Sequence, residues 1–136
     1  MRLAVTLLCL LTMTACDESS PTGPTISLDE RFTLAPGERA SLEGRVALEF
    51  VGVTGDSRCP GDALCITGGD AVVQVRASGD AGTAVLELHT GDTSRASVSY
   101  GGVRVALIEL QPYPFSSRPP IVPSDYRITL QVTASD

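Results

Sequence analysis

The chain has no lysine, asparagine or tryptophan, and only one histidine, His89. Every basic residue is arginine, which reads as compositional bias and not as function. These absences exclude several chemistries. Gly68-Gly69-Asp70 is no phosphate loop, because no lysine or helix start follows it. A structural zinc site takes four ligands, more than one cysteine pair and His89 obviously supply. No Gly-x-Ser-x-Gly elbow is present to raise a nucleophilic serine. Carboxylate pairs such as Asp29-Glu30 fall in turns or at strand edges. The expectation is a protein that is not an enzyme and that carries no cofactor and no metal.

Long apolar runs are scarce as well. The longest is Leu3 to Met13, preceded by Arg2 and followed by Thr14-Ala15. It is too short to span a bilayer, which takes about 20 residues, but it has the build of an export signal. Met13-Thr14-Ala15-Cys16 reads as a bacterial lipobox, with Met where Leu is usual. Residues 1–15 are therefore expected to be a lipoprotein signal peptide, and Cys16 the lipidated N-terminus. The alternative is an ordinary secretory signal. Buried acyl chains contribute about 0.8 kcal/mol per methylene, so several chains on one residue anchor it firmly. Asp17 to Thr25 is polar and rich in Pro and Gly, and reads as a tether reaching about 30 Å when extended. This places the protein in the bacterial cell envelope, attached to the membrane through lipid and facing the periplasm or the exterior. In enterobacteria an Asp after the lipidated cysteine is a retention signal for the inner membrane. Asp17 therefore leaves the choice between the two membranes open.

Positive charge is also short. Removing Arg2 with the leader leaves nine basic residues (ten less one) against sixteen acidic ones, a net charge near −7. Such a surface repels nucleic acid and anionic lipid. Of the four cysteines, Cys9 leaves with the signal and Cys16 takes lipid. Cys59 and Cys65 remain as an even pair in an oxidising compartment, and the expectation is a disulfide. Their Cys-x5-Cys spacing is not that of a redox pair.

What is present in abundance is short apolar alternation punctuated by turn residues, the all-β pattern. Strands are expected at Ile26 to Leu34, Arg39 to Leu42, Arg45 to Val53, Ala71 to Ala77, Thr83 to His89, Ala96 to Tyr100, Val103 to Leu110 and Tyr126 to Val132. Phase slips place a bulge near Phe50-Val51-Gly52. Gly101-Gly102 reads as a two-residue hairpin turn. His89 falls on the outward phase of its strand, facing solvent. Residues 26–136 thus form one domain, an antiparallel two-sheet β-sandwich of about eight strands, immunoglobulin-like, with a small barrel as the other closure.

Two connections stand out. Gly55 to Asp70 holds the cysteine pair, Asp56, Asp62, Asp70 and four glycines between two core strands. It is either a staple, or a rigid recognition loop whose outer edge carries Arg58, Asp62 and Leu64. Arg58 is expected to pair with Asp56 or Asp62. The aspartates match no calcium loop and read as solvated turn residues. Pro112 to Asp125 contains five prolines. It is either a sheet-to-sheet crossover pinned by Tyr113, Phe115 and Ile121, or an exposed patch in which Tyr113 and Phe115 meet an envelope protein.

Phe50-Val51-Gly52-Val53, Asp56-Ser57-Arg58-Cys59-Pro60, Cys65-Ile66, Gly68 and Ala71-Val72-Val73 resemble a largely uncharacterised group of small bacterial envelope lipoproteins. Leu110-Gln111-Pro112-Tyr113-Pro114 and Ser124-Asp125-Tyr126-Arg127 resemble that group's tail. Thr67 stands where the pattern has Trp, so an aromatic at the loop's edge is missing here. The resemblance implies an envelope location and supplies no ligand. Two roles follow from the sequence. One is a lipid-anchored, non-enzymatic binding or structural domain. The other is a small exported inhibitor or ligand-binding domain acting through the Cys59–Cys65 or Pro112–Pro123 loop.

Overall fold

The computed structural model describes residues 23–135; the expected signal peptide, Cys16 and most of the expected tether lie outside them. The described residues form nine strands in two sheets that do not close into a barrel. The strands are β1 (Thr25–Ile26), β2 (Arg31–Leu34), β3 (Arg39–Leu42), β4 (Val46–Asp56), β5 (Ala71–Gly79), β6 (Gly82–His89), β7 (Ser97–Tyr100), β8 (Val103–Gln111) and β9 (Arg127–Ala134). One sheet has the order β1-β3-β4-β5-β6 and the other β2-β9-β8-β7. The two-sheet sandwich is the architecture that the alternation indicated. After β1 and β2, which lie in different sheets, its connectivity is two meanders, β3 to β6 in one sheet and then β7 to β9 in the other.

The alternation has a direct physical reading. In β4, Val46, Leu48 and Phe50 are buried, and Ala47 and Glu49 between them are half-buried on the other face. In β9, Ile128, Leu130 and Val132 turn inward the same way. Side chains two apart share a face, so each strand presents one apolar edge. Phe50, Leu48, Leu88, Val73 and Val75 from one sheet meet Ile128, Leu130, Val105 and Val132 from the other, all fully buried. Each such burial contributes about 1.5–3 kcal/mol. On the outer face Glu49 bridges Arg39 at 2.8 Å and Arg76 at 3.1 Å across three strands.

The register of β4 against β5 slips between Phe50 and Gly52 and again between Val53 and Gly55, so the bulge stands where the phase drift put it. A slip in β8, between Leu107 and Glu109, accounts for the drift at Ile108 and Leu110. Gly101 and Gly102, both at positive φ, link Tyr100 to Val103 as a two-residue hairpin.

Three expectations change. Ile26 to Leu34 is not one strand. Asp29 takes a left-handed conformation (φ 64°) and breaks the run, so Ile26 joins one sheet and Phe32 the other. Ordered structure also begins earlier than Ile26: Thr25 pairs with Ser41, in parallel, and the Ser41 amide donates to the Pro24 carbonyl. Finally, the proline-rich connection does not cross between sheets. It joins β8 to β9, which are adjacent and antiparallel, through a loop ending in a 3-10 turn at Pro123–Asp125.

Candidate functional site

Three connections gather at one end of the sandwich: the cysteine loop after β4, the β6–β7 link and the proline loop after β8. A buried charge organises them. Arg58, expected on the outer edge, is 8% exposed. The reason is its partners. Its Nε donates to Asp56 Oδ1 at 2.8 Å and its Nη2 to Asp56 Oδ2 at 2.6 Å. Nη1 reaches the Leu110 carbonyl at 2.8 Å, and Nη2 also reaches that of Pro112 at 2.9 Å. The Tyr113 ring lies 5.2 Å from the guanidinium carbon, in cation–π range. A planar five-donor group suits this task, and a lysine would not fill it.

Asp56 is the hub's other half. The Tyr126 hydroxyl donates to its Oδ2 at 2.9 Å. Burial pushes the Asp56 carboxyl up, and the hydrogen bonds from Arg58 and Tyr126 outweigh it, leaving it below the ordinary carboxylate range. The Tyr126 phenol is pushed up to about 12, by burial and by the carboxylate it touches.

Cys59 and Cys65 form the disulfide, with Cα atoms 5.9 Å apart. The Cys59 amide donates to the Gly68 carbonyl at 2.8 Å, closing the loop's neck. The proline loop braces the other side. The Gly61 amide donates to Pro114 at 2.9 Å, and the Phe115 ring lies against Gly61, where a Cβ would sit 2.9 Å from it. Asp62 accepts from the amides of Ser116 at 2.6 Å and Ser117 at 2.9 Å. The Ser117 side chain and these amides hold its carboxyl down to about 2. Asp62 is thus an exposed clamp between loops. Phe115 is half-buried, with the Arg118 guanidinium 4.3 Å from its ring centre, and Tyr113 is 43% exposed. Leu64 and Ile66, on either side of Cys65, are fully exposed.

His89 is also corrected: it is 5% exposed. Its amide donates to the Arg95 carbonyl, so the β6–β7 link folds over the strand's end. Its Nδ1 lies 2.5 Å from Asp70 Oδ2, and the Gly91 amide donates to Asp70 Oδ1 at 2.7 Å. Burial raises the Asp70 carboxyl, and the Gly91 amide and His89 more than offset this, so it lies below its usual range. His89 Nε2 is buried with no partner among the described residues.

The three loop aspartates are therefore each committed elsewhere, and among the described residues no three His, Cys, Asp or Glu side chains converge on a metal position. A groove of about 510 Å³ lies within the proline loop, lined by Tyr113, Phe115, Arg118, Ile121 and Tyr126 over Asp56. A recess of about 540 Å³ at the opposite end has exposed hairpin residues, Glu43, Arg45 and Asp80, for its polar lining. Its Tyr100 hydroxyl is taken by the Gly82 carbonyl. We therefore place the candidate site at the cysteine-loop end. Sequence spacing singled out Asp62, Leu64, Tyr113 and Phe115 there. It missed Tyr126 and Asp70 as partners, because their contacts span 70 and 19 residues. Compared with family models, curated proteins and solved structures, the chain gives no match.

Proposed function

We propose that this chain is a lipid-anchored protein of the bacterial cell envelope whose β domain works by binding. It holds its cysteine-loop end toward an envelope protein and performs no catalysis. The observation that carries the reading is the pair Leu64 and Ile66, bare on a loop whose base is fixed from both sides. Apolar side chains held out on a preorganised loop suit a partner, because little conformational entropy remains to be lost on contact. Asp56 is already taken by Arg58 and Tyr126, and the unpartnered Nε2 of His89 is buried away from solvent.

The resemblance to the Asp-Ser-Arg-Cys-Pro lipoproteins supports the same reading. Its two separate segments meet in space: Arg58 bonds Leu110 and Pro112, and Asp56 bonds Tyr126. The motif thus has a job as the frame of the loop end.

The anchor is tested by labelling cells with radioactive palmitate. Label on the wild type and none on Cys16→Ala is expected; equal label on both overturns the anchor. The binding face is tested by placing a photo-crosslinking residue at position 64 in the native envelope, with position 85 as control. Val85 is likewise exposed, on β6. Adducts from position 64 and none from 85 are expected. The reverse pattern overturns the assignment of the face.

A further inference from the structure

We infer that the Leu64–Ile66 segment occupies the substrate cleft of an exported endopeptidase with apolar subsites, so that the domain acts as a protease inhibitor. The inference rests on the binding reading above and names the partner's class.

Four observations lead there. Leu64 and Ile66 are both fully exposed, and Cys65 between them is tied inward to Cys59. Burying each of the two apolar side chains is worth about 1.5–3 kcal/mol, which this chain leaves unused. No backbone amide or carbonyl of Leu64, Cys65 or Ile66 is hydrogen-bonded among the described residues. Free main-chain groups between alternate apolar side chains are what an extended-peptide cleft reads: the backbone supplies affinity and the pockets select side chains. The segment also projects as a knob, so its complement is concave. Finally, the net charge near −7 of the exported part, nine basic residues against sixteen acidic, opposes insertion at an anionic lipid surface.

The bracing explains why such a segment would inhibit and not simply be cut. If an endopeptidase hydrolysed the Leu64–Cys65 bond, water would add to give a Leu64 carboxylate and a Cys65 amine. Neither end would leave. Cys65 stays bonded to Cys59, whose amide holds Gly68. Leu64 stays attached through Asp62, which is fastened to Ser116 and Ser117. Ends held at high effective molarity favour resynthesis of the bond over release. The closed, uncut loop therefore stays in the cleft.

The test uses the full chain, purified from the envelope in detergent, against subtilisin, chymotrypsin and pancreatic elastase, with trypsin as the control of cationic specificity. Hydrolysis of a chromogenic peptide is followed. Competitive inhibition of at least one of the first three is expected, with trypsin unaffected. Leu64→Asp and Ile66→Asp are each expected to weaken it about tenfold or more, the effect of removing one buried anchor. Val85→Asp is expected to leave it unchanged. Both positions are exposed, so the variants fold, and an intact disulfide by mass spectrometry checks this. No inhibition of any of the three, or turnover of the loop as an ordinary substrate, overturns the inference. Adducts from position 64 in the envelope together with no inhibition would keep the binding face and discard the protease cleft. Protection of the Leu64–Ile66 amides from hydrogen exchange by phosphatidylcholine vesicles, again without inhibition, would assign the tip to lipid and overturn it.

Discussion

Arg58 ties together Asp56, Leu110, Pro112 and Tyr113. Its side chain is 5% exposed and that of Asp56 13%, so the pair lies largely out of water. Removing one member of such a pair leaves an uncompensated charge, at a cost of about 3–5 kcal/mol. Asp56→Ala is therefore expected to lower stability by that amount in urea unfolding, and Tyr126→Phe by about 1.5–3 kcal/mol, the value of one hydrogen bond to a charged group. Equal losses from both would contradict the ranking. The sequence allowed the pairing of Arg58 with Asp56 to be read, because the two are neighbours. The burial was not legible, because it depends on two carbonyls 52 and 54 residues away. His89 failed for a related reason. Period-2 alternation tells which face a residue is on, and says nothing of a connecting segment that later folds over that face.

At the scale of elements, the cysteine loop and the proline loop are one body. Gly69 shows how tight the neck is. It has φ 70°, and a Cβ there would run into the Ser57 carbonyl oxygen. Gly61 faces only the edge of the Phe115 ring, which can swing aside. Gly69→Ala is expected to cost about 3 kcal/mol, from backbone strain and the clash together, and Gly61→Ala about 1 kcal/mol. Equilibrium unfolding of the two variants checks the order. The strands themselves were the most readable part of the chain, bulges included, because apolar alternation and its slips are local. The run from Ile26 to Leu34 misled because nothing in its polarity marks the left-handed turn at Asp29. The role of the proline loop misled because proline tells where a ladder stops, not which strands the connection joins.

For the whole molecule, four carboxylates at one end have depressed pKa values: Asp56, Asp62, Asp70 and Asp92. A group held below its unfolded value contributes stability that is present above the unfolded pKa and lost as pH falls through the folded one. For Asp62 that window runs from 3.8 down to about 2. Thermal melts across this range are expected to show the wild type losing stability steadily. Asp62→Asn should start lower at neutral pH and lose less on acidification, so parallel curves would refute the clamp.

One consequence lies in the order of assembly. Beyond the disulfide and the neck hydrogen bond, the groups that brace the cysteine loop, the Ser116 and Ser117 amides and the Tyr126 hydroxyl, come from residues 54 to 70 positions further along the chain. Closing loops of that length carries an entropy cost that local hairpins do not. A nascent or half-folded chain therefore has a slack tip, and a slack apolar tip is ordinary prey for a protease. Only the finished domain, with the last meander docked, turns that bait into a rigid probe. The exposed end of this protein thus reports on its own completion.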